Sequence, residues 1–247
     1  MDGRGRARWS WILWAALPAL AWAGPPYATD DPEPTDTGRL EVFVAAFASA
    51  EASGSQGGGP QLQLNYGAAR DLQLSVAPQL SFSGPSGGPL TYGLGDTQVG
   101  AKYRFLHEDG DRPQAAVFPQ VVLPSGDAKR GLGAGAAQVL LPLWLQKSWG
   151  PWTSFGGGGY WINPGPGNQN WTFVGACLQR DLAERWTLGA ELFFHSAAQV
   201  DDADGLGSNL GLEWHLDPDD SLMVSGGRDL GWGNTTFTGF AAYRMIL

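Results

Sequence analysis

Strict alternation is the feature that most limits what this chain can become. Over residues 71–82 every even position is apolar (Leu72, Leu74, Val76, Pro78, Leu80, Phe82), and Gln73, Ser75, Ala77, Gln79 and Ser81 fill the odd ones. Side chains of a strand point alternately to opposite faces, so this stretch has one greasy and one polar face. A tilted strand of about 9–11 residues crosses the hydrocarbon core of a bilayer. The pattern recurs. In 95–105, Thr97, Val99, Ala101, Tyr103 and Phe105 lie opposite Asp96, Gln98, Gly100, Lys102 and Arg104. In 186–196, Trp186, Leu188, Ala190, Leu192 and Phe194 lie opposite Thr187, Gly189, Glu191 and His195. In 208–216, Leu210, Leu212, Trp214 and Leu216 lie opposite Asn209, Gly211, Glu213 and His215. Charge keeps to the polar face because Lys or Arg turned to lipid at mid-bilayer costs about 2–4 kcal/mol.

About twelve such strands are expected, near 39–50, 61–66, 72–82, 95–105, 114–123, 134–146, 152–161, 171–180, 186–196, 208–216, 222–228 and 234–246. Those at 134–146 and 152–161 alternate poorly. An even count suits a single-chain outer-membrane barrel. Connectors alternate in length, with longer ones at 51–60, 83–94, 124–133, 162–170 and 197–207. Shorter ones fall at 67–71, 147–151, 181–185 and 217–221, while 106–113 is long for an inside turn and 229–233 short for an outside loop. The expectation is all-β: a closed antiparallel transmembrane β-barrel of about twelve strands over 39–247, both termini periplasmic. A soluble β-sandwich is the alternative fold. Trp149, Trp152, Tyr160, Trp161, Trp171, Trp186 and Trp232, near strand ends, are expected to form aromatic girdles at the two interfaces.

The address agrees. Arg4, Arg6 and Arg8, an apolar core over 9–20, and Ala21-Trp22-Ala23 read as a signal peptide over 1–23, cleaved near Ala23. No apolar run reaches the roughly 18 residues of a spanning helix. Without 1–23 the chain loses three Arg and one Asp, so Lys+Arg falls from 15 to 12, Asp+Glu from 24 to 23, and net charge from −9 to −11. An acidic exported chain excludes nucleic acid as a partner, since phosphate affinity depends on Lys and Arg. Cys177 is the one cysteine, so no internal disulfide forms. Residues 24–38 (GPPYATDDPEPTDTG) read as an acidic, Pro-rich periplasmic lead-in, solvated rather than binding calcium through Asp30, Asp31, Glu33 and Asp36.

Several short motifs carry a family likeness. They are Ala28-Thr29-Asp30-Asp31-Pro32-Glu33-Pro34, Tyr92-Gly93-Leu94-Gly95-Asp96, Lys102-Tyr103-Arg104-Phe105 and Leu123-Pro124-Ser125-Gly126-Asp127. Pro142-Leu143-Trp144-Leu145-Gln146-Lys147-Ser148-Trp149-Gly150, the run from Gly156 to Gly165, Leu178-Gln179-Arg180 and Ser225-Gly226-Gly227-Arg228 complete the set. With these the chain resembles the outer-membrane family named for the meta-pathway of phenol degradation, whose members are often labelled transporters. The likeness spans essentially all of the mature chain and implies a barrel associated with aromatic catabolism, not a reaction. The chain departs from the usual aromatic final residue of outer-membrane barrels by ending Tyr243-Arg244-Met245-Ile246-Leu247.

Catalytic and cofactor chemistry is nearly absent. His107, His195 and His215 lack metal-ligand spacing. The glycines of 131–135 precede no strand–helix unit, so no dinucleotide site is expected. His195, Ser196 and Glu191 supply the residue types of a lipid hydrolase, but 196 points away from 191 and 195. No cofactor, no metal and no enzyme activity are expected. The residues expected to line the lumen are Glu41, Lys102, Arg104, Arg180, Glu191, Glu213 and Arg244. The function expected is passive passage of small compounds, aromatic ones among them, through an outer-membrane channel or transporter. Its alternatives are a filled structural or adhesive barrel and a lipid-modifying enzyme. The expected partners are outer-membrane lipid and lipopolysaccharide, the barrel-assembly machinery and a small-molecule solute, in the outer membrane of a Gram-negative bacterium.

Overall fold

The structure is a computed structural model and describes residues 24–231 and 235–247. The signal segment, its cleavage point and Trp232 lie outside the described residues. The strands are β1 (Leu40–Glu51), β2 (Gly54–Ala69), β3 (Leu72–Ala77), β4 (Gln79–Pro85), β5 (Thr91–Leu94), β6 (Thr97–Leu106), β7 (Gln114–Val117) and β8 (Gln120–Leu123). They continue as β9 (Gln138–Trp149), β10 (Trp152–Ile162), β11 (Trp171–Ala183), β12 (Trp186–His195), β13 (Gly205–His215), β14 (Asp220–Gly231) and β15 (Thr235–Ile246). Every pairing between them is antiparallel, and β1 pairs with both β2 and β15, which closes the sheet.

Three staves are each made of two strands in line: β3 with β4, β5 with β6, and β7 with β8. Among the described residues the barrel therefore has twelve staves, as the alternation predicts. Pro78 breaks the first of these and Phe118-Pro119 the third. Proline has no N–H to give to a ladder, so the regular pairing stops there and resumes in the same parity.

The faces sort as the alternation demands. Leu210 is 66 % exposed on the outer face, while its neighbour Asn209 is buried inside. Leu74, Leu145, Leu188 and Leu192 also face outward, and Gln73, Gln146 and Glu191 face inward. A closed barrel leaves no sheet edge to satisfy, and its apolar exterior suits hydrocarbon.

Loops gather at one end. The connectors 124–137, 163–170 and 196–204 lie there, while the other end has the turns 70–71, 150–151, 184–185 and 216–219. The first expected long connector, 51–60, is instead mostly strand. Gly57 and Gly58 belong to β2, and a Cβ would collide with the Phe82 ring at Gly57 and with the Phe47 ring at Gly58. The longest loop folds back on the wall. Asp96 accepts the Gly126 N–H at 2.8 Å and the Ala134 N–H at 2.7 Å, and Leu132 between them is buried against Gly93.

Candidate functional site: the occupied lumen

The lumen is filled by the segment expected to lie in solvent. Residues 26–32 are mostly buried, with Tyr27 and Asp30 each 1 % exposed. The reading of 24–38 as a solvated lead-in is corrected: it is an internal plug. Polar backbone without a ladder partner must be satisfied somewhere, and the inner face of the barrel supplies the partners.

Their order follows the wall. Ser225 on β14 donates to the Pro26 carbonyl at 2.5 Å. Tyr27 enters a notch between β12 and β13 where Gly189 and Gly211 stand, and a Cβ on either would strike its hydroxyl. Its ring rests on Phe155, with centroids 6.1 Å apart. Glu191, itself 1 % exposed, accepts the Ala28 N–H at 3.2 Å, the Thr29 N–H at 2.5 Å and the Asn209 amide at 2.6 Å. Lys102 lies 3.0 Å from Asp30 and 3.3 Å from Asp31. Glu33 accepts from Gln114 at 2.6 Å and Gln146 at 2.5 Å. Gln73 accepts the Thr35 N–H at 2.8 Å. Buried charge is tolerable only when paired and hydrogen-bonded, and Asp30, Asp31 and Glu33 each have at least one carboxylate oxygen bonded in this way.

The expected lumen set divides. Glu41, Lys102, Arg104, Glu191, Glu213 and Arg244 lie on inner-face positions. Most are paired. Arg104 bonds Asp71 at 2.8 Å and Gln114 at 3.1 Å. Glu41 accepts from Asn65 at 3.0 Å and Glu213 from Ser221 at 2.8 Å, with Arg244 3.9 Å from both carboxylates. Arg180 is a correction. It points outward at the short-turn end, its guanidinium 5.0 Å from the Trp152 ring centroid.

At that end Trp149, Trp152, Trp186, Trp214, Tyr66 and Tyr103 face outward, with Trp186 and Trp214 stacked at 5.3 Å. Tyr160 faces outward at the loop end. Trp161 and Trp171 do not belong to a girdle. They point into the lumen, buried and stacked with centroids 5.3 Å apart. Their place among the inner residues was hidden in the sequence, because Gly156 to Gly159 carry no side chains to mark the parity of β10.

The two inner tryptophans head an apolar stripe. Trp161, Trp171, Phe173, Phe193, Leu140, Trp144 and Phe118 pack together on the inner wall, from Ala198 in the loop end down to Ala28 of the plug. Phe173 stacks on Phe193 at 5.8 Å and meets Trp144 edge-on at 6.3 Å. Ring pairs of this kind add about 0.5–1.5 kcal/mol each beyond area burial. A second apolar patch, Phe43, Phe47, Met223 and Phe240, lies on β1, β14 and β15.

The hydrolase residue types do not converge. Glu191 is held by the plug; His195 Nε2 lies 2.6 Å from Asp229, and its Nδ1 lies 3.2 Å from the Ser196 carbonyl. Ser196 Oγ accepts the Thr172 N–H at 2.9 Å. Among the described residues no cluster of His, Cys, Asp and Glu is arranged to hold a metal.

This architecture recurs in solved structures. The COG4313 outer membrane channel from Pseudomonas putida F1 matches with a TM-score of 0.73 at 16 % identity, over 88 % of this chain and 98 % of that one. The KdgM porin in complex with disordered oligogalacturonate matches at 0.54 and 10 % identity, over 82 % and 98 %. The translocator domain of autotransporter NalP from Neisseria meningitidis matches at 0.55 and 11 % identity, over 85 % and 89 %. At these identities the matches establish the fold: a closed antiparallel barrel of the outer-membrane channel kind. No curated protein sequence matches the chain. The family described as "Putative MetA-pathway of phenol degradation" matches residues 23–245, and the chain belongs to it.

Proposed function

We propose that the protein is a non-catalytic outer-membrane channel that passes small apolar compounds along its inner aromatic stripe. The observation that carries this is the pairing of two features. The polar part of the lumen is spent on holding the plug, and the apolar stripe runs from the loop end to that plug. Water and ions meet a wall of bonded groups. An apolar molecule meets rings. The belts of outward aromatics sit at the two lipid interfaces, with lipopolysaccharide around the loop end and the short turns in the periplasm. Both termini then lie in the periplasm, and the assembly machinery inserts the chain after signal cleavage. The filled structural barrel is the second reading, favoured by the number of bonds the plug makes.

The test is uptake by whole cells. Expression should speed entry of naphthalene and leave arabinose entry unchanged, and Phe193→Asp, which puts charge on the stripe, should abolish the gain. Unchanged naphthalene entry would leave the filled barrel standing. Faster arabinose entry would mean an open aqueous pore.

A further inference from the structure

The plug enters the barrel at the short-turn end, where Thr37 bridges to Gly67, and runs inward to Gly24, which is buried. The Gly24 carbonyl accepts the Tyr27 N–H at 2.9 Å. That turn sets residue 24 against Asp30. A Cβ on Gly24 would stand 2.6 Å from Asp30 Oδ1 and 2.8 Å from Asp30 Cα, so the position takes no side chain. The nitrogen of residue 24 hangs from the same Cα. A free amino group there is within reach of the Asp30 carboxylate.

Asp30 is 1 % exposed and only half bonded. Its Oδ1 takes the Asp31 N–H at 2.8 Å and the Lys102 ammonium at 3.0 Å. Its Oδ2 is buried with no partner. Positive charge is also short. Asp30, Asp31, Glu33 and Glu191 gather at the plug, and among the described residues Lys102 is the one cation paired with any of them. Buried polar atoms are almost always satisfied, and a buried carboxylate is held best by a charged donor.

Hydrolysis of the Ala23–Gly24 bond makes such a donor. Water adds across the peptide bond, its hydroxyl to the Ala23 carbonyl carbon and its hydrogen to the Gly24 nitrogen. The proton lost by the new Ala23 acid balances the one that turns the amine into an ammonium. A chain still joined to Ala23 offers only a neutral amide at this point. It also hangs 23 further residues on a position inside the barrel.

We propose that the export signal is cut between Ala23 and Gly24, and that the α-ammonium so created pairs with the open oxygen of Asp30 inside the lumen. Cleavage is then the step that locks the plug. The inference rests on the signal being removed and is independent of what the channel passes.

Two measurements test it. The first is the N-terminal sequence and intact mass of the protein extracted from outer membranes. The mature chain should begin at Gly24, and a start at any other residue overturns the proposal. The second removes the charge without adding bulk. In urea, pyridoxal phosphate takes the amino group of Gly24 and leaves a carbonyl in its place. Amine and carbonyl chains are refolded in detergent, and those with the heat-dependent gel mobility of a folded barrel are compared. Chymotrypsin should cut after Tyr27 about tenfold faster in the carbonyl chain, the scale of one charge-assisted hydrogen bond. In Asp30→Asn the two chains should be cut at equal rates. Equal cutting in the wild type, or an undiminished effect of the amine in Asp30→Asn, overturns the pair. If Asp30→Asn does not fold, protection of the amine decides. Folded wild type should react with pyridoxal phosphate at least about tenfold slower than the chain in urea, and equal rates overturn the pair. Solute entry plays no part in these readouts, so the pair and the proposed route fail separately.

Discussion

The Glu191 carboxylate accepts the Thr29 backbone N–H at 2.5 Å, across 162 positions of sequence. This bond and its companion to Ala28 fasten the plug to β12 without a counter-cation. A carboxylate can be buried this way when several N–H groups converge on it. Glu191→Ala leaves two backbone donors and the Asn209 amide unpaired, each costing about 1–3 kcal/mol. Limited proteolysis should then cut residues 24–35 faster in the variant than in the wild type, with the barrel itself intact.

Lys102 is the plug's other anchor. Lys102→Met removes the one ammonium that Asp30 and Asp31 share. Breaking a buried pair from one side typically costs about 3–5 kcal/mol. Urea unfolding in lipid vesicles should show a lower midpoint for Lys102→Met. An additional Asp30→Asn should recover part of the loss, because it removes a stranded charge.

The outer face can be read by placing charge on it. Leu192 points outward on β12. Leu192→Arg should cost about 2–4 kcal/mol in vesicle unfolding if that face meets lipid. In a soluble sandwich the same change at an exposed site would be nearly neutral.

Trp186 and Trp214 stack at 5.3 Å on the outer surface at the short-turn end. A double-mutant cycle with Trp186→Ala and Trp214→Ala should give a coupling of about 0.5–1.5 kcal/mol. Additive effects would show that each ring anchors to lipid alone.

Asp71 sits in the 70–71 turn, outside the spanning strands, with Arg104 at 2.8 Å and His107 at 2.9 Å. Burial works to raise its pKa, but the hydrogen bonds from Arg104 and His107 outweigh it and hold the carboxyl below the usual range. A depressed folded-state pKa contributes stability above the unfolded value and loses it as pH falls through the folded one. The stability gap between wild type and Asp71→Asn should be full at neutral pH. It should begin to shrink as pH falls below the ordinary aspartate value of about 3.9 and close only below the lower value that Asp71 has in the folded protein.

Parity made most of the barrel legible from sequence. Leu188 outward and Glu191 inward follow from period two, and so do the inner positions of Lys102 and Glu213. Besides the 51–60 connector, which is mostly strand, three things escaped inside and around the lumen. The plug escaped because prolines and carboxylates read as solvated until a partner surface exists. Its signal is in Gly175, Gly189 and Gly211, whose empty side-chain positions acquire meaning only once the barrel closes around Thr29 and Tyr27. The inner faces of Trp161 and Trp171 escaped because the glycine run in β10 erases alternation. Arg180 escaped because β11 is apolar on both faces, with Phe173 and Cys177 inside and Val174 and Leu178 outside, so hydrophobicity did not choose a side.

Single-channel conductance in a planar bilayer tests the central claim, that the plug closes the aqueous lumen. The account predicts small, rare steps for the wild type and a several-fold larger conductance for Glu191→Ala, with ion selectivity that then responds to Arg244→Ala. A large steady conductance in the wild type, unchanged by Glu191→Ala, would contradict it.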